Sequence, residues 1–150
     1  MKIFVKSIAL LALLISAQSA LADCNFNLEV GDALTFSATQ MSAEKSCGTV
    51  TVNLNHKGNL GASVMGHNWV LTKDADSTDV ASKGLAAGLV NNYVPAGDIR
   101  VIAASTIIGG GEATSVSFST DALVVGGKYV YVCTFPGHSF VMRGTFSVGA

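Results

Sequence analysis

The chain has 150 residues, of which 49% are apolar and 13% charged, with 16 glycines and two prolines. One compact domain is expected at that length, and so little charge excludes an intrinsically disordered chain. Nine basic against ten acidic residues give a formal charge of −1, which excludes a nucleic-acid footprint and a polybasic membrane patch.

Residues 1–22 read as a secretory signal peptide. Lys2 and Lys6 form its positive start, Ile8 to Ile15 its apolar run, and Ala20-Leu21-Ala22 a small-x-small cleavage site. A membrane anchor needs about 20 continuous apolar residues, and Ser16, Gln18 and Ser19 interrupt this run. Leu21-Ala22-Asp23-Cys24 comes close to a lipidation signal, but Asp23 stands where a small residue is required. Cleavage after Ala22 removes 22 of the 150 residues and two of the nine basic ones. A single domain of 128 residues (23–150) remains, with seven basic and ten acidic residues and a formal charge of −3.

Three cysteines in an exported chain leave one over once two have paired. Cys24 and Cys47 lie early, among ordinary polar residues and away from any histidine, so they are the expected disulfide. Closing a loop of about 22 residues is worth about 3 kcal/mol on chain-entropy grounds. Cys133 is the leftover thiol, a liability in an oxidising compartment unless something uses it.

Along the exported domain, period-two alternation dominates. Phe26, Leu28 and Val30 alternate with polar residues, and so do Val50, Val52 and Leu54, then Val116 and Phe118, then Phe146 and Val148. These read as half-buried strands of an antiparallel sheet. Val101 to Ala103 and Tyr129 to Val132 read as more fully buried strands, the latter continuing as strand to Thr134. Turns fall at Gly31-Asp32, Gly58-Asn59, Gly109-Gly110-Gly111 and Gly126-Gly127. The pattern predicts an all-β Greek-key sandwich. Residues 74–89 are the exception, a short helical insertion outside the sheets. Asp74, Asp76, Ser77 and Asp79 suit its N-terminus, Val80, Leu85, Ala86 and Leu89 form its apolar face, and Gly84 and Gly88 weaken it.

The glycine run at 109–111 lacks the frame of a phosphate loop and precedes no helix pattern, so it is a turn. Paired carboxylates and a serine nucleophile elbow are also missing. The informative stretch is Cys133-x4-His138-x3-Met142, in which a strand end, a Pro136-Gly137 turn and a strand start carry three metal-ligating side chains. Met65-Gly66-His67-Asn68-Trp69 supplies a second histidine, His67, at the opening of another strand. Two imidazoles, one thiolate and a weak axial methionine are the blue-copper donor set. Thiolate and thioether sulfur favour Cu(I), while imidazole suits both oxidation states. A hydrogen bond donated to the thiolate withdraws electron density and raises the potential, and Asn68 is the candidate donor. Phe135, Pro136, Phe140 and Met65 surround these ligands with apolar surface suited to brief docking.

With both motifs in view, the chain resembles the cupredoxin family of small blue-copper proteins over essentially all of 23–150. The resemblance implies an eight-stranded sandwich and one copper ion cycling between Cu(II) and Cu(I). It also implies equatorial His67, Cys133 and His138, axial Met142 and a weak backbone-carbonyl contact from Gly66. The Cys24/Cys47 placement resembles the family's disulfide. The implied role is that of a monomeric periplasmic carrier, not an enzyme. It would pass single electrons between transient partners such as c-type cytochromes and periplasmic reductases or oxidases, with no nucleic acid and no stable membrane anchor. Phe140 departs from the smaller residue expected there, which bears on the rim near His138 and leaves the ligands untouched.

Two rival readings use the same residues. A Cys133–His138 nucleophile pair would leave Met142 and His67 unused and lacks an oxyanion-hole motif. A copper carrier would need open thiol or methionine clusters, and the exported chain holds only Met41, Met65 and Met142. Methionine is foreign to closed zinc sites, so zinc is expected only as an adventitious occupant. His56 reads as a buried histidine satisfied by internal hydrogen bonds, and Trp69 as core. The family resemblance also puts His56 near the metal, where its titration would perturb the potential.

Overall fold

The computed structural model describes residues 23–150, so the signal segment 1–22 lies outside the described residues. Eight strands form two facing sheets. The first sheet joins β1 (Asn25–Val30), β3 (Thr49–His56) and β6 (Ala113–Ser119) in the order β1-β3-β6. The second joins β2 (Gln40–Glu44), β8 (Arg143–Gly149), β7 (Tyr129–Val132), β4 (Val70–Lys73) and β5 (Ala103–Ala104) in the order β2-β8-β7-β4-β5. In β3 the even-numbered residues from Val50 to His56 are buried, and in β8 Gly144, Phe146 and Val148 are. The period-two pattern therefore marks the inward faces, which meet around Trp69, Leu54, Tyr131 and Phe146. Trp69 is fully buried and stacks between Phe118 and Tyr131 at centroid distances of 5.8 and 5.6 Å. The Cys24–Cys47 disulfide joins the residue before β1 to the turn before β3.

The expectation of an antiparallel sheet is corrected by two pairings. β1 runs parallel to β3 and β2 parallel to β8, while the other ladders are antiparallel. Alternation reports which face is buried and carries nothing about the direction of a neighbour. After β1 the chain crosses to the other sheet for β2, then returns beside β1 running the same way. The strand expected at 101–103 shrinks to Ala103–Ala104, because the Val101 N–H turns back to the Asp98 carbonyl instead of joining the ladder with β4. The strand expected to run to Thr134 ends at Val132. The Thr134 N–H leaves the ladder and donates to the Asn68 side chain. His67 does not open a strand either; it makes an isolated bridge with Ile108, and β4 begins at Val70.

β7 reads Tyr-Val-Tyr-Val and is buried on both faces. Tyr129 and Tyr131 enter the main core, while Val130 and Val132 join Val70 and Val80 in a second cluster. Val80 comes from α2 (Ser77–Ala87), which lies against the outer face of the five-stranded sheet and follows a short 3-10 turn at Asp74–Asp76. The helix is where the sequence puts it, but its buried face is not. Ser77, Val80, Ala81 and Gly84 are buried, whereas Leu85 and Leu89 are exposed. Gly84 makes the difference. A Cβ there would sit 2.0 Å from the carbonyl oxygen of Tyr93, so the glycine read as a weakness is the point of close approach. Arg100 ties the 98–100 loop to this helix through ion pairs with Asp98 and Asp79, and Arg143 reaches Ser77 from β8.

Gly84→Ala sets two effects against each other. Alanine favours an exposed helix by about 1 kcal/mol. Here the backbone clash dominates, and we expect a net loss of about 1–3 kcal/mol, read as a lower denaturation midpoint in urea.

Candidate metal centre

His67, Cys133 and His138 converge at one end of the sandwich from three separate segments. His67 is held by its two-way main-chain bridge to Ile108, at 2.9 Å in each direction. Cys133 follows the last residue of β7, and its N–H donates to the Met142 carbonyl at 3.0 Å. His138 sits on the turn after Pro136, its N–H donating to the carbonyl of Phe135 at 3.0 Å. The Cys133 sulfur lies 3.8 Å from Nδ1 of His67 and 3.6 Å from Nδ1 of His138. One ligand atom from each of the three lies within 4.8 Å of the others, and all three residues are buried. With metal–sulfur near 2.3 Å and metal–nitrogen near 2.0 Å, a trigonal ion spaces sulfur and nitrogen roughly 3.7 Å apart. The observed separations fit one.

The surroundings also prepare the donors. His67 Nε2 donates to the Gly31 carbonyl at 2.8 Å, which puts the proton on Nε2 and leaves the Nδ1 lone pair facing the sulfur. Burial pushes the His67 pKa down. Burial, then the neighbouring His67, pushes that of His138 down to about 4, so both imidazoles are neutral at physiological pH. Burial pushes the Cys133 thiol up to about 11, against the pull of main-chain N–H groups of Asn68 and Phe135 directed at the sulfur. A thiol that burial holds protonated becomes a ligand when a cation takes the place of its proton.

Asn68 thus meets the sulfur with its main-chain N–H. Its side chain ties loops, Nδ2 donating to the Asn92 carbonyl at 2.7 Å and to Thr134 Oγ1 at 2.8 Å, and Oδ1 accepting from the Thr134 N–H at 2.8 Å. Met142 is fully buried, with its N–H donating to the His138 carbonyl at 2.8 Å. The Gly66 carbonyl lies 3.9 Å from the Cys133 sulfur. A Cβ on Gly66 would stand 2.3 Å from the carbonyl oxygen of Ala62 in α1 (Ala62–Met65), so only glycine fits there. His56 stacks on His67 with ring centroids 5.0 Å apart. Its Nδ1 accepts from the Gly58 N–H and its Nε2 lies 3.0 Å from the Met65 carbonyl, so both ring nitrogens are satisfied.

The apolar residues expected around the ligands divide. Phe140 is 80% exposed, and Met65 and Pro136 are partly so. Phe135 is only 8% exposed and turns inward, its ring 4.6 Å from that of His138 and edge-on to Tyr93. It is a wall of the site and offers little surface. Val64, two residues before Gly66, is exposed and was not anticipated. Nor were the Gly31 carbonyl and the Phe135 N–H, since every residue carries such groups and only the fold aims them.

A buried His₂Cys trio with trigonal spacing at the end of an eight-stranded sandwich defines a cupredoxin, a small blue-copper protein. The chain belongs to the plastocyanin/azurin family of copper-binding proteins, whose model matches residues 22–149. It is 46% identical to an azurin of Achromobacter denitrificans over 143 residues, 93% of this chain and 96% of that one. It is 49% identical to azurin iso-2 of Methylomonas sp. strain J over 127 residues, 85% of this chain and 98% of that one. A solved structure of that Methylomonas azurin superposes with a TM-score of 0.82 at 48% identity, covering 86% of this chain and all of that one. Azurins carry electrons and are not enzymes, and the His67–Cys133–His138 centre fits a blue-copper electron carrier.

Two outcomes follow for the metal-free protein. His138 binds its proton less tightly folded than unfolded, so stability is present above about pH 6.5 and falls as the pH drops towards about 4. That residue alone accounts for roughly 3 kcal/mol, to be read from denaturation midpoints across this range. Loading the site near pH 7 should release about one proton, from the Cys133 thiol, measurable by calorimetry in buffers of different ionisation enthalpy.

Proposed function

We propose that this chain is an exported one-electron carrier in which residues 1–22 are removed and residues 23–150 form the working domain in the periplasm. The observation that carries the reading is the convergence of His67, Cys133 and His138 in a chain whose relatives are azurins. His67 and His138 would hold the ion through neutral Nδ1 lone pairs, and Cys133 through a thiolate formed as the ion replaces its proton. Met142, whose main chain bonds those of both Cys133 and His138, would add a weak thioether ligand, and the Gly66 carbonyl a further weak contact. A bound copper ion supplies the Cu(II)/Cu(I) couple. The chain excludes water from the donors, and the Asn68 and Phe135 N–H groups stabilise negative charge on the sulfur, which favours the reduced state. The two histidines and thiolate would also accept zinc, an adventitious occupant without redox chemistry.

Exposed Phe140, with Met65 and Pro136, gives the His138 end an apolar face. A monomeric carrier needs a small, short-lived contact of this kind, and its partners would be c-type cytochromes and periplasmic reductases or oxidases. The low net charge favours docking by shape over long-range steering.

The test is the visible spectrum of the purified protein with Cu(II). We expect an intense blue band that bleaches with ascorbate, returns on reoxidation and is lost in Cys133→Ser. Stoichiometric copper binding without that band would overturn the reading. Phe140→Asp should leave the band in place and slow electron self-exchange about tenfold, since a charge must be desolvated at the contact. An unchanged rate would remove Phe140 from the docking face.

A further inference from the structure

Asn92 and Tyr93 are successive residues that are not glycine, yet both hold left-handed backbone conformations, with φ of 55° and 53°. Asparagine tolerates that region, whereas a tyrosine there is an outlier. Strain of this kind persists only where the surroundings over-determine it, and it gathers at functional sites. Here the surroundings are the segments that carry the metal-binding residues.

Three arms leave the pair. The Asn92 carbonyl accepts from Asn68 Nδ2 at 2.7 Å, and Asn68 in turn grips Thr134, the residue after Cys133, by two hydrogen bonds. Asn92 Oδ1 accepts from the Ile107 N–H at 2.9 Å, and the next residue, Ile108, makes the main-chain bridge that holds His67. The Tyr93 ring stands edge-on to Phe135 at 5.3 Å, and Phe135 packs against the imidazole of His138. The pair is itself anchored to α2: the Tyr93 N–H donates to the Gly88 carbonyl at 2.9 Å, and the Tyr93 carbonyl lies against Gly84. In this left-handed turn residue 92 presents its carbonyl to one segment and its side chain to another, while residue 93 faces the third.

We propose that Asn92 and Tyr93 are positioning residues for electron transfer. They form a clamp outside the ligand loops that fixes the separations of the His67, Cys133 and His138 segments, so that the site does not relax as its oxidation state changes. The clamp rests on the electron-carrier reading above, and Asn92 is its most separable part. Asn92→Gly keeps the left-handed turn and the main-chain acceptor for Asn68 while removing only the link to Ile107. Asn92→Asp keeps an acceptor there and tolerates the same backbone.

In the metal-free protein, amide hydrogen exchange at Ile107 should rise about tenfold in Asn92→Gly, as for loss of one buried hydrogen bond, and stay near wild type in Asn92→Asp, while Thr134, whose bond to Asn68 is kept, stays near wild type in both. In the copper-loaded protein, Asn92→Gly should show a displaced midpoint potential and electron self-exchange slowed several-fold, with self-exchange recovered in Asn92→Asp. A changed melting temperature with unchanged exchange at Ile107, potential and self-exchange rate would reduce Asn92 to a structural residue and overturn the clamp. A wild-type protein without a bleachable blue band would instead overturn the electron-carrier reading, a failure distinct from an inert Asn92→Gly in a background that cycles.

Discussion

The arrangement on which the rest depends is the burial of a thiol and two imidazoles against one another. Each of these groups would be better solvated in water, and together they form a polar pocket in an apolar end of the sandwich. Burial drives the imidazoles towards their neutral form and the thiol towards its protonated form. Two of the three donors are therefore ready, and the third becomes a ligand only when a cation replaces its proton. A soft ion satisfies all three at once, which is why the scaffold can hold a cluster that would otherwise cost stability.

Holding that cluster takes structure on every side. The Gly31 carbonyl fixes the tautomer of His67 from the β1 side, and Ile108 fixes its backbone. Asn68 joins the His67 segment to the Cys133 segment through side-chain bonds, while its main-chain N–H meets the sulfur. Gly66 allows a close approach to Ala62, and Phe135 packs along His138. Beyond these, α2 covers the outer face of β7, so the strand that leads into Cys133 is buried on both faces. A strand confined in this way has little freedom to move its terminal residue.

Much of the site was legible from residue types. Cys133, His138 and Met142 stand within ten residues, and His67 follows a second short motif, because soft-metal chemistry restricts the side chains that serve. The inward faces of β1, β3, β6 and β8 were legible too, since burying one face of a strand leaves a mark at every second residue. A helix within 74–89 is legible and Val80 is buried as expected, but hydrophobicity also points to Leu85 and Leu89 while the tight contact with Tyr93 selects Gly84. Phe135 was misplaced for a similar reason. A phenylalanine beside a ligand looks like docking surface until its ring is seen facing inward on His138 and Tyr93.

The His67, Cys133 and His138 trio, the Cys24–Cys47 pairing, the all-β class and a helix outside the sheets can all be read from the chain alone. These follow from side-chain chemistry and from periodicity, which are local properties of the chain. Only the tertiary structure decided the parallel pairings of β1 with β3 and β2 with β8, the choice of main-chain groups that meet the sulfur and His67, and the left-handed turn at Asn92 and Tyr93. Backbone N–H and carbonyl groups are the same in nearly every residue. Which of them reaches a given atom depends on contacts between segments tens of residues apart, and no local pattern records it.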